Sequence, residues 1–303
     1  MTTAPLSESV LPGDAPNPDA IVKRPWRRPS WLRKAMSNKS VVIGGTLTLI
    51  VVLAALLAPV LSPDNPNVMD MPNRLLGPMQ HGHLLGTDEF GRDVLTRLLY
   101  GAQASLTVGF ISVGLALLIG VPIGLIAGYY GGWLDMVIMR IVDIVLSFPF
   151  FLLAIGLVAV LGPGELNVII ALGLVFWTSY ARVVRASTMA LREEEYVQAA
   201  RTVGSSDLRI LFANILPNCL APIVVLATLG IGQAIVAEAT MSFLGLGVQP
   251  PTPSWGWMLA YGMKFIQSAP HLSLFPGIAI MITVLGFNLL GDGIRDLSDT
   301  KLS

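Results

Sequence analysis

The chain has 303 residues, of which 53% are hydrophobic and 13% are charged, and its formal net charge at pH 7 is zero. Soluble domains carry about 25% charged residues, so this composition excludes a soluble globular fold and predicts an all-α protein surrounded largely by lipid. The zero net charge gives no basis for a nucleic-acid partner.

Residues 1–40 are predicted to form a cytoplasmic N-terminal tail. The first 20 residues contain Pro and Ser and have no regular apolar period, which is typical of disorder. Residues 23–39 carry seven basic and no acidic side chains directly before an apolar run. Basic residues beside a span stay on the cytoplasmic side, so the N-terminus is predicted to lie inside. That first run is too long and begins too late for a cleavable signal peptide.

Six largely uncharged runs predict six transmembrane helices, because a helix needs about 20 apolar residues to cross the hydrocarbon core. The spans are residues 41–61, 104–128, 136–161, 166–181 with a further turn toward Arg185, 210–237 and 272–290. Residues 104–291 then form a five-helix core, and residues 292–303 form a cytoplasmic C-terminal tail. Within the second span, Gly120 and Gly124 predict close packing against another helix.

Residues 62–103 are predicted to form an external connection with an amphipathic helix. Thr87, followed by Asp88 and Glu89, is typical of a helix start. Arg92 and Asp93 are interpreted either as a local ion pair or as a contact for an external protein.

Residues 239–263 are also uncharged, so a seventh span has to be weighed. The run from Gln249 to Pro253 contains three prolines, which a lipid-exposed helix does not readily hold. We therefore expect an irregular connection, with or without a short re-entrant or interfacial helix. Trp255 and Trp257 suit the membrane interface. A seventh span would also place the basic C-terminal tail outside.

The connection between the fourth and fifth spans is predicted to contain two short helices with a break at 204–206. Three Glu residues, 193–195, favour the positive end of the first helix, and Gly204 can end it in the left-handed conformation. Ser206 is expected to cap the second helix, with Asp207 in its first turn. Leu208, Leu211, Phe212 and Ile215 then form an apolar stripe into the fifth span.

Two interpretations of this connection remain open from the residues alone. An amphipathic helix with Tyr196, Ala199, Ala200 and Val203 on one face can lie on the membrane surface. The same helix can instead dock into a partner, since Ala199, Ala200 and Gly204 let another surface approach the backbone closely.

Four motifs and this connection resemble one transporter family. Ala199-Ala200-x-x-x-Gly204 with Leu216-Pro217 is similar to the EAA loop of ABC importer permeases. Residues 85–93, 127–135, 242–247 and 287–292 resemble the C-type permease of peptide, nickel and glutathione importers. Gln198 stands where the pattern usually has Glu, and Asn214 stands at a usual Ile. A salt bridge from an acid at position 198 is therefore not expected here.

The resemblance implies a type I ABC importer transmembrane domain in a bacterial inner membrane, with both termini cytoplasmic. It implies a homologous B-type partner permease, two ABC ATPase subunits and an external substrate-binding protein. A coupling loop, residues 186–216, would dock on the ATPase. The docking residues that it implies are Tyr196, Gln198, Ala199, Ala200, Arg201, Val203, Gly204, Ser205 and Asp207.

The chain is not expected to be an enzyme or to hold a cofactor. It lacks the G-x-x-x-x-G-K-[ST] phosphate loop, so ATP hydrolysis is assigned to partner subunits. The predicted function is the import of di- or oligopeptides through a path shared with the partner permease. The alternatives are nickel or glutathione import by the same architecture, or a stand-alone secondary transporter.

A few further residues are weighed as functional. Glu238, at the outer end of the fifth span, is a weak candidate for a substrate contact or else a solvated rim residue. Arg140 and Asp143, beside the third span, are interpreted as functional charges, as snorkelling groups, or as paired with Asp135. His81 and His83 are read as loop residues and no metal site is expected, while Cys219 is expected to be buried. The path-lining residues are not predicted.

Overall fold

The computed structural model describes residues 30–299, and this part of the chain is helical, with isolated bridges but no strand. The helices before the middle of the chain are α1 (Ser30–Ser37), α2 (Lys39–Leu56), α3 (Ala58–Leu61), a 3-10 turn (Met71–Asn73), α4 (Val94–Tyr130), α5 (Gly132–Ser147), α6 (Phe150–Leu161) and α7 (Glu165–Arg192). They are followed by α8 (Glu195–Thr202), α9 (Asp207–Arg209), a π-helical turn (Ile210–Ile215), α10 (Leu216–Phe243), α11 (Trp255–Met263) and α12 (His271–Asp299). The predicted all-α class is confirmed. The tail of residues 1–29, predicted to be disordered, lies outside the described residues.

Five helical stretches of the described chain are long and apolar enough to cross a membrane. They are α2, α4, α7, the stretch from α9 through α10, and α12. The remaining predicted span, the third in chain order at 136–161, corresponds to α5 and α6, which together pass the same test but are bent by 90°. The prediction of six spans therefore corresponds to five long helices and one bent pair.

The bend between α5 and α6 was not expected, because residues 136–161 were predicted as one helix. It lies at Phe148, whose backbone is extended, with Pro149 at the N-cap of α6. A residue before proline is pushed out of the helical region, and proline donates no backbone hydrogen bond. The sequence therefore contained the signal for the break.

The first predicted span, 41–61, is divided at Leu57 into α2 and α3. Pro59 lies in the first turn of α3 and cannot donate to the carbonyl of Ala55. Gln103 Nε2 supplies that hydrogen bond from α4, at 2.8 Å.

A separate external helix starting near Thr87 is a wrong prediction. The Thr87 hydroxyl instead accepts from the Leu76 N–H at 2.9 Å and lies within hydrogen-bonding distance of the Asn73 carbonyl. The helix begins at Val94, where the Asp93 carboxylate accepts the Thr96 N–H at 2.8 Å. From there α4 runs without interruption into the second span.

The core is centred on α4 and α7, which pack closely through glycines of α4. A Cβ atom at Gly120 would lie 2.5 Å from the carbonyl oxygen of Trp177, and one at Gly124 would lie 2.6 Å from that of Ala181. Only glycine permits this approach, so the predicted packing role of Gly120 and Gly124 is confirmed.

The segment after α10 holds one short helix, α11, and no seventh span among the described residues. Trp255 was expected at the membrane interface, but it is 2% exposed and its Nε1 donates to the Leu98 carbonyl at 3.0 Å. It is a core residue that fixes α11 against α4.

The final helix is longer than predicted. Residues 272–290 were expected to span the membrane and residues 292–303 to form a tail, but α12 continues to Asp299. Residues 292–299 of the predicted tail are therefore helical and prolong α12, and residues 300–303 lie outside the described chain.

Candidate functional site

The predicted coupling loop, residues 186–216, contains a helix, a tight turn and a second helix, as the sequence predicts. The helix α8 ends before Gly204, whose φ is +80°. The N–H groups of Gly204 and Ser205 donate to the carbonyls of Arg201 and Ala200, at 3.0 and 3.1 Å. This pair of bonds is the Schellman arrangement, in which a glycine in the left-handed region ends a helix.

Two details at the helix starts differ from the expectation. Only Glu195 of the three glutamates lies in the first turn of α8, because Glu194 is its N-cap and Glu193 still belongs to the end of α7. Ser206 occupies the N-cap position of α9, but its side chain accepts no capping hydrogen bond.

Asp207 instead ties the loop to the end of α4. The Tyr129 hydroxyl donates to one carboxylate oxygen of Asp207 at 2.8 Å, and the Tyr130 hydroxyl donates to the other at 3.1 Å. The Arg201 guanidinium lies 5.3 Å from the centre of the Tyr129 ring. The start of the second helix is thus fixed to the bundle by polar contacts.

The inner face of α8 is apolar and packed against the bundle. Val197 is fully buried, and Ala200 packs against the same cluster. The other buried members of this cluster are Leu125, Tyr129, Val184, Ile210, Leu211, Ile215, Cys219 and Ile223. The sequence analysis did not identify Val197. The signal was present, because residues two positions apart on a helix lie on nearly opposite sides, and Val197 is two residues before Ala199.

Gln198 also turns inward, where its Nε2 donates to the Arg192 carbonyl at 2.9 Å. The residue therefore joins α8 to the end of α7. In the structure, this contact occupies the side chain that replaces the usual acid of the motif.

The outer face of α8 is exposed and continues onto the second helix. Ala199 lies at its centre, Tyr196 is 41% exposed and Val203 is 82% exposed. Beyond Gly204, Leu208 and Phe212 are 68% and 59% exposed. The predicted apolar stripe is divided, since Leu211 and Ile215 are buried while these two side chains remain outside.

A cavity of about 680 Å³ opens between the bent pair α5–α6 and helices α7, α10 and α12. Its wall carries four phenylalanines, 148, 150, 151 and 176. Four polar side chains also line it: Ser179, Gln233, Asn288 and Asp292.

Glu238 does not lie on a solvated rim. Its side chain is 0% exposed, and it accepts hydrogen bonds from Ser105 at 3.1 Å and Ser242 at 2.6 Å. The Ser105 bond joins α10 to α4, whereas Ser242 lies one turn further along α10 itself. Glu238 is enclosed in the packed bundle and does not line the large cavity.

The charges beside the third predicted span are paired with α7. Asp143 accepts from Arg182 at 2.5 Å, and Asp135 pairs with Arg185. Of the alternatives for Arg140, pairing with Asp135 does not occur: Arg140 is exposed and forms no ion pair with a described residue. No group of three or more potential metal ligands occurs within residues 30–299, and Cys219 is buried.

The fold and the loop together define a class of protein, a helical membrane permease with an exposed loop at one end of the bundle. Residues 120–303 match the family described as binding-protein-dependent transport system inner membrane component. Residues 25–78 match the N-terminal transmembrane domain of oligopeptide transport permease C. The chain belongs to the binding-protein-dependent transport permease family, which decides against a stand-alone secondary transporter.

Named relatives are similar over nearly their whole length. The dipeptide transport system permease protein DppC of Alkalihalophilus pseudofirmus is 49% identical, with 92% of this chain and 90% of the relative covered. The glutathione transport system permease protein GsiD of Pectobacterium atrosepticum is 43% identical, with 94% of each covered. A chain of the inward-facing MetNI methionine ABC transporter shares the fold, with a TM-score of 0.55, 22% identity, and coverage of 66% of this chain and 96% of that one.

Proposed function

We propose that this chain is one of two permease subunits of an ATP-driven importer of short peptides, and that its coupling loop docks on the ATP-hydrolysing subunit. A homologous B-type permease would supply the other half of the path, two ABC ATPases the energy, and an external binding protein the substrate. The chain would lie in a bacterial inner membrane with both termini in the cytoplasm.

The observation that carries the docking role is the two-sided character of α8. Its inner face is fixed by buried Val197, and Asp207 secures the next helix to α4. Its outer face leaves Ala199, Val203 and the adjoining Leu208 exposed. An element that is held rigidly against the bundle moves with it as one body, so a displacement of the loop is transmitted to the membrane helices. Such a face is typical of a protein-contact surface.

The large cavity between α5–α6 and helices α7, α10 and α12 is the basis for proposing a substrate path that a second subunit completes. Its four polar side chains, Ser179, Gln233, Asn288 and Asp292, stand in an otherwise apolar wall. Polar groups within membrane spans are costly unless they face a cavity or a partner, so their clustering suits a passage for polar solutes. We assign these residues to this chain's half of the path.

The substrate class is proposed from the relatives. Those named above are permeases for a dipeptide and for glutathione, and another relative, from Pseudomonas aeruginosa, is named for di- and tripeptides and is 42% identical. Short peptides are the shared chemistry. Glutathione import by the same architecture is the alternative that the 43% identical relative favours.

Substitution of Ala199 tests the docking role. Ala199→Trp adds a large ring at the centre of the outer face without entering the buried cluster, so the chain should assemble in the membrane. We expect co-purification with the ATPase and peptide uptake to fall at least about tenfold, since a misfitted interface core loses about 1.4 kcal/mol or more. Ala199→Ser, which keeps the side chain small, is the matched control and should retain both. Normal uptake and normal ATPase recovery with Ala199→Trp would refute docking through this face.

A further inference from the structure

A second cavity, of about 310 Å³, lies at the opposite end of the molecule from the coupling loop. It is formed by the connection before α4 and by the segment leading into α11. Since α4 has 37 residues, its start lies about 55 Å from the tyrosines that hold Asp207. Phe90, Met258, Tyr261 and Leu272 are among the apolar and aromatic residues of the wall.

The cavity wall contains two acidic and two basic residues, so their formal charges cancel: Asp88, Glu89, Arg92 and Arg97. Asp88 is fully engaged: one carboxylate oxygen accepts the backbone N–H groups of Phe90 and Arg92, and the other accepts Arg92 Nε at 2.7 Å. Arg97 Nε lies 3.5 Å from the same oxygen. Asp88 therefore organises the two arginines and has no capacity left for a ligand.

Glu89 and Trp257 are not engaged in this way. Glu89 Oε1 is buried and accepts no hydrogen bond, and its nearest cation, Arg92 Nη2, is 3.8 Å away. Burial raises the pKa of the Glu89 carboxyl above its ordinary value. Trp257 Nε1 is likewise a buried donor without an acceptor. Buried polar groups are nearly always paired, so an unmatched acceptor and an unmatched donor on two residues that line one cavity indicate a missing partner.

We propose that this cavity binds a short zwitterionic peptide, with its ammonium group on Glu89 and a carbonyl or carboxylate oxygen on Trp257 Nε1. Such a ligand supplies the donor that the carboxylate lacks and the acceptor that the indole lacks. It carries no net charge, so it leaves the balance of acids and arginines unchanged. The assignment of the cavity to the outer side rests on the proposed orientation and function of the importer.

Ligand chemistry tests the proposal on the unmodified protein. The full-length chain, in lipid nanodiscs with its co-purifying subunits and without the binding protein, is titrated with Ala-Ala, N-acetyl-Ala-Ala and Ala-Ala amide by calorimetry. We expect saturable binding of Ala-Ala, and binding at least about tenfold weaker after acetylation, because the charge-assisted bond to Glu89 is lost. The amide keeps both the ammonium group and a carbonyl oxygen, so it should bind more tightly than the acetylated peptide.

Two substitutions assign the contacts. Glu89→Gln should remove the preference for Ala-Ala over its acetylated form, and Trp257→Phe should weaken both ligands while keeping an aromatic ring in place. Asp64→Asn and Trp133→Phe, at exposed positions, are the matched controls and should change neither affinity.

Equal affinity for Ala-Ala and N-acetyl-Ala-Ala in the unmodified chain would overturn the proposal, and so would the absence of saturable binding. Because these ligands are compared on the unmodified protein, the result does not depend on whether a variant folds. Peptide uptake by the complete importer is measured in parallel. Uptake without binding at this cavity would overturn this inference alone, whereas binding without uptake would overturn the proposed transport function.

Discussion

Removing the Asp207 carboxylate should loosen the coupling loop from the bundle. The Tyr129 hydroxyl donates to Asp207 at 2.8 Å, and Tyr129 is only 5% exposed. A hydrogen bond to a charged acceptor contributes about 1.5–3 kcal/mol when both groups are buried. Asp207 itself is exposed, so solvent screening reduces the expected contribution to about 1 kcal/mol.

A loss of about 1 kcal/mol raises the population of the detached loop about fivefold. Hydrogen–deuterium exchange of peptides covering α8 measures this population, since amides protected by local structure exchange through local opening. We expect about fivefold faster exchange in Tyr129→Phe, and at least as large an increase in Asp207→Ala, which also loses the Tyr130 bond, with exchange in α7 unchanged. Tyr100→Phe, at the other end of α4, is the control and should leave α8 unaffected.

The double variant decides whether the two residues act through one bond. If they do, the double variant should accelerate exchange little more than Asp207→Ala alone, because that change already removes the bonds from both Tyr129 and Tyr130. Full additivity of the two free-energy changes would refute the reasoning. Unchanged exchange in Asp207→Ala would also refute it, because the loop would then be held by the buried Val197 cluster alone.

Two further predictions concern the bundle. Gly124→Val places side-chain atoms against the backbone of α7, so we expect thermal melting in detergent to show a loss of about 1–3 kcal/mol in the free energy of unfolding. Gly114→Val is the control and should be neutral, because a Cβ atom there meets nothing within 4 Å. Equal stability of the two variants would contradict the packing argument. Trp255→Phe removes the donor to the Leu98 carbonyl and should cost about 1–3 kcal/mol of stability in the same assay. Trp133→Phe, at an exposed position, is the control and should cost almost nothing. An unchanged melting temperature for Trp255→Phe would show that water replaces the indole N–H.

The class of the molecule and the position of its helix–turn–helix loop were predictable from the order of the residues. Long uncharged runs can satisfy their backbone groups in lipid only as helices, so composition and run length were sufficient for the spans. Gly204 was identifiable because its left-handed backbone ends α8, and that is a local property. The bend at Pro149 was equally local, and the sequence contained its signal although the predicted span ran through it.

Which side chains face inward, and which groups meet, depended on the packing of distant segments. Val197 and Ala199 are two residues apart, and packing of α8 against the buried cluster makes Val197 core and leaves Ala199 exposed. Glu238 became an interior hydrogen-bond acceptor because Ser105 of α4 meets it across the bundle, beside Ser242 of its own helix. The unmatched Glu89 and Trp257 lie far apart in sequence. Their meeting in one cavity depends on how the connection before α4 folds over α11, which no local pattern encodes.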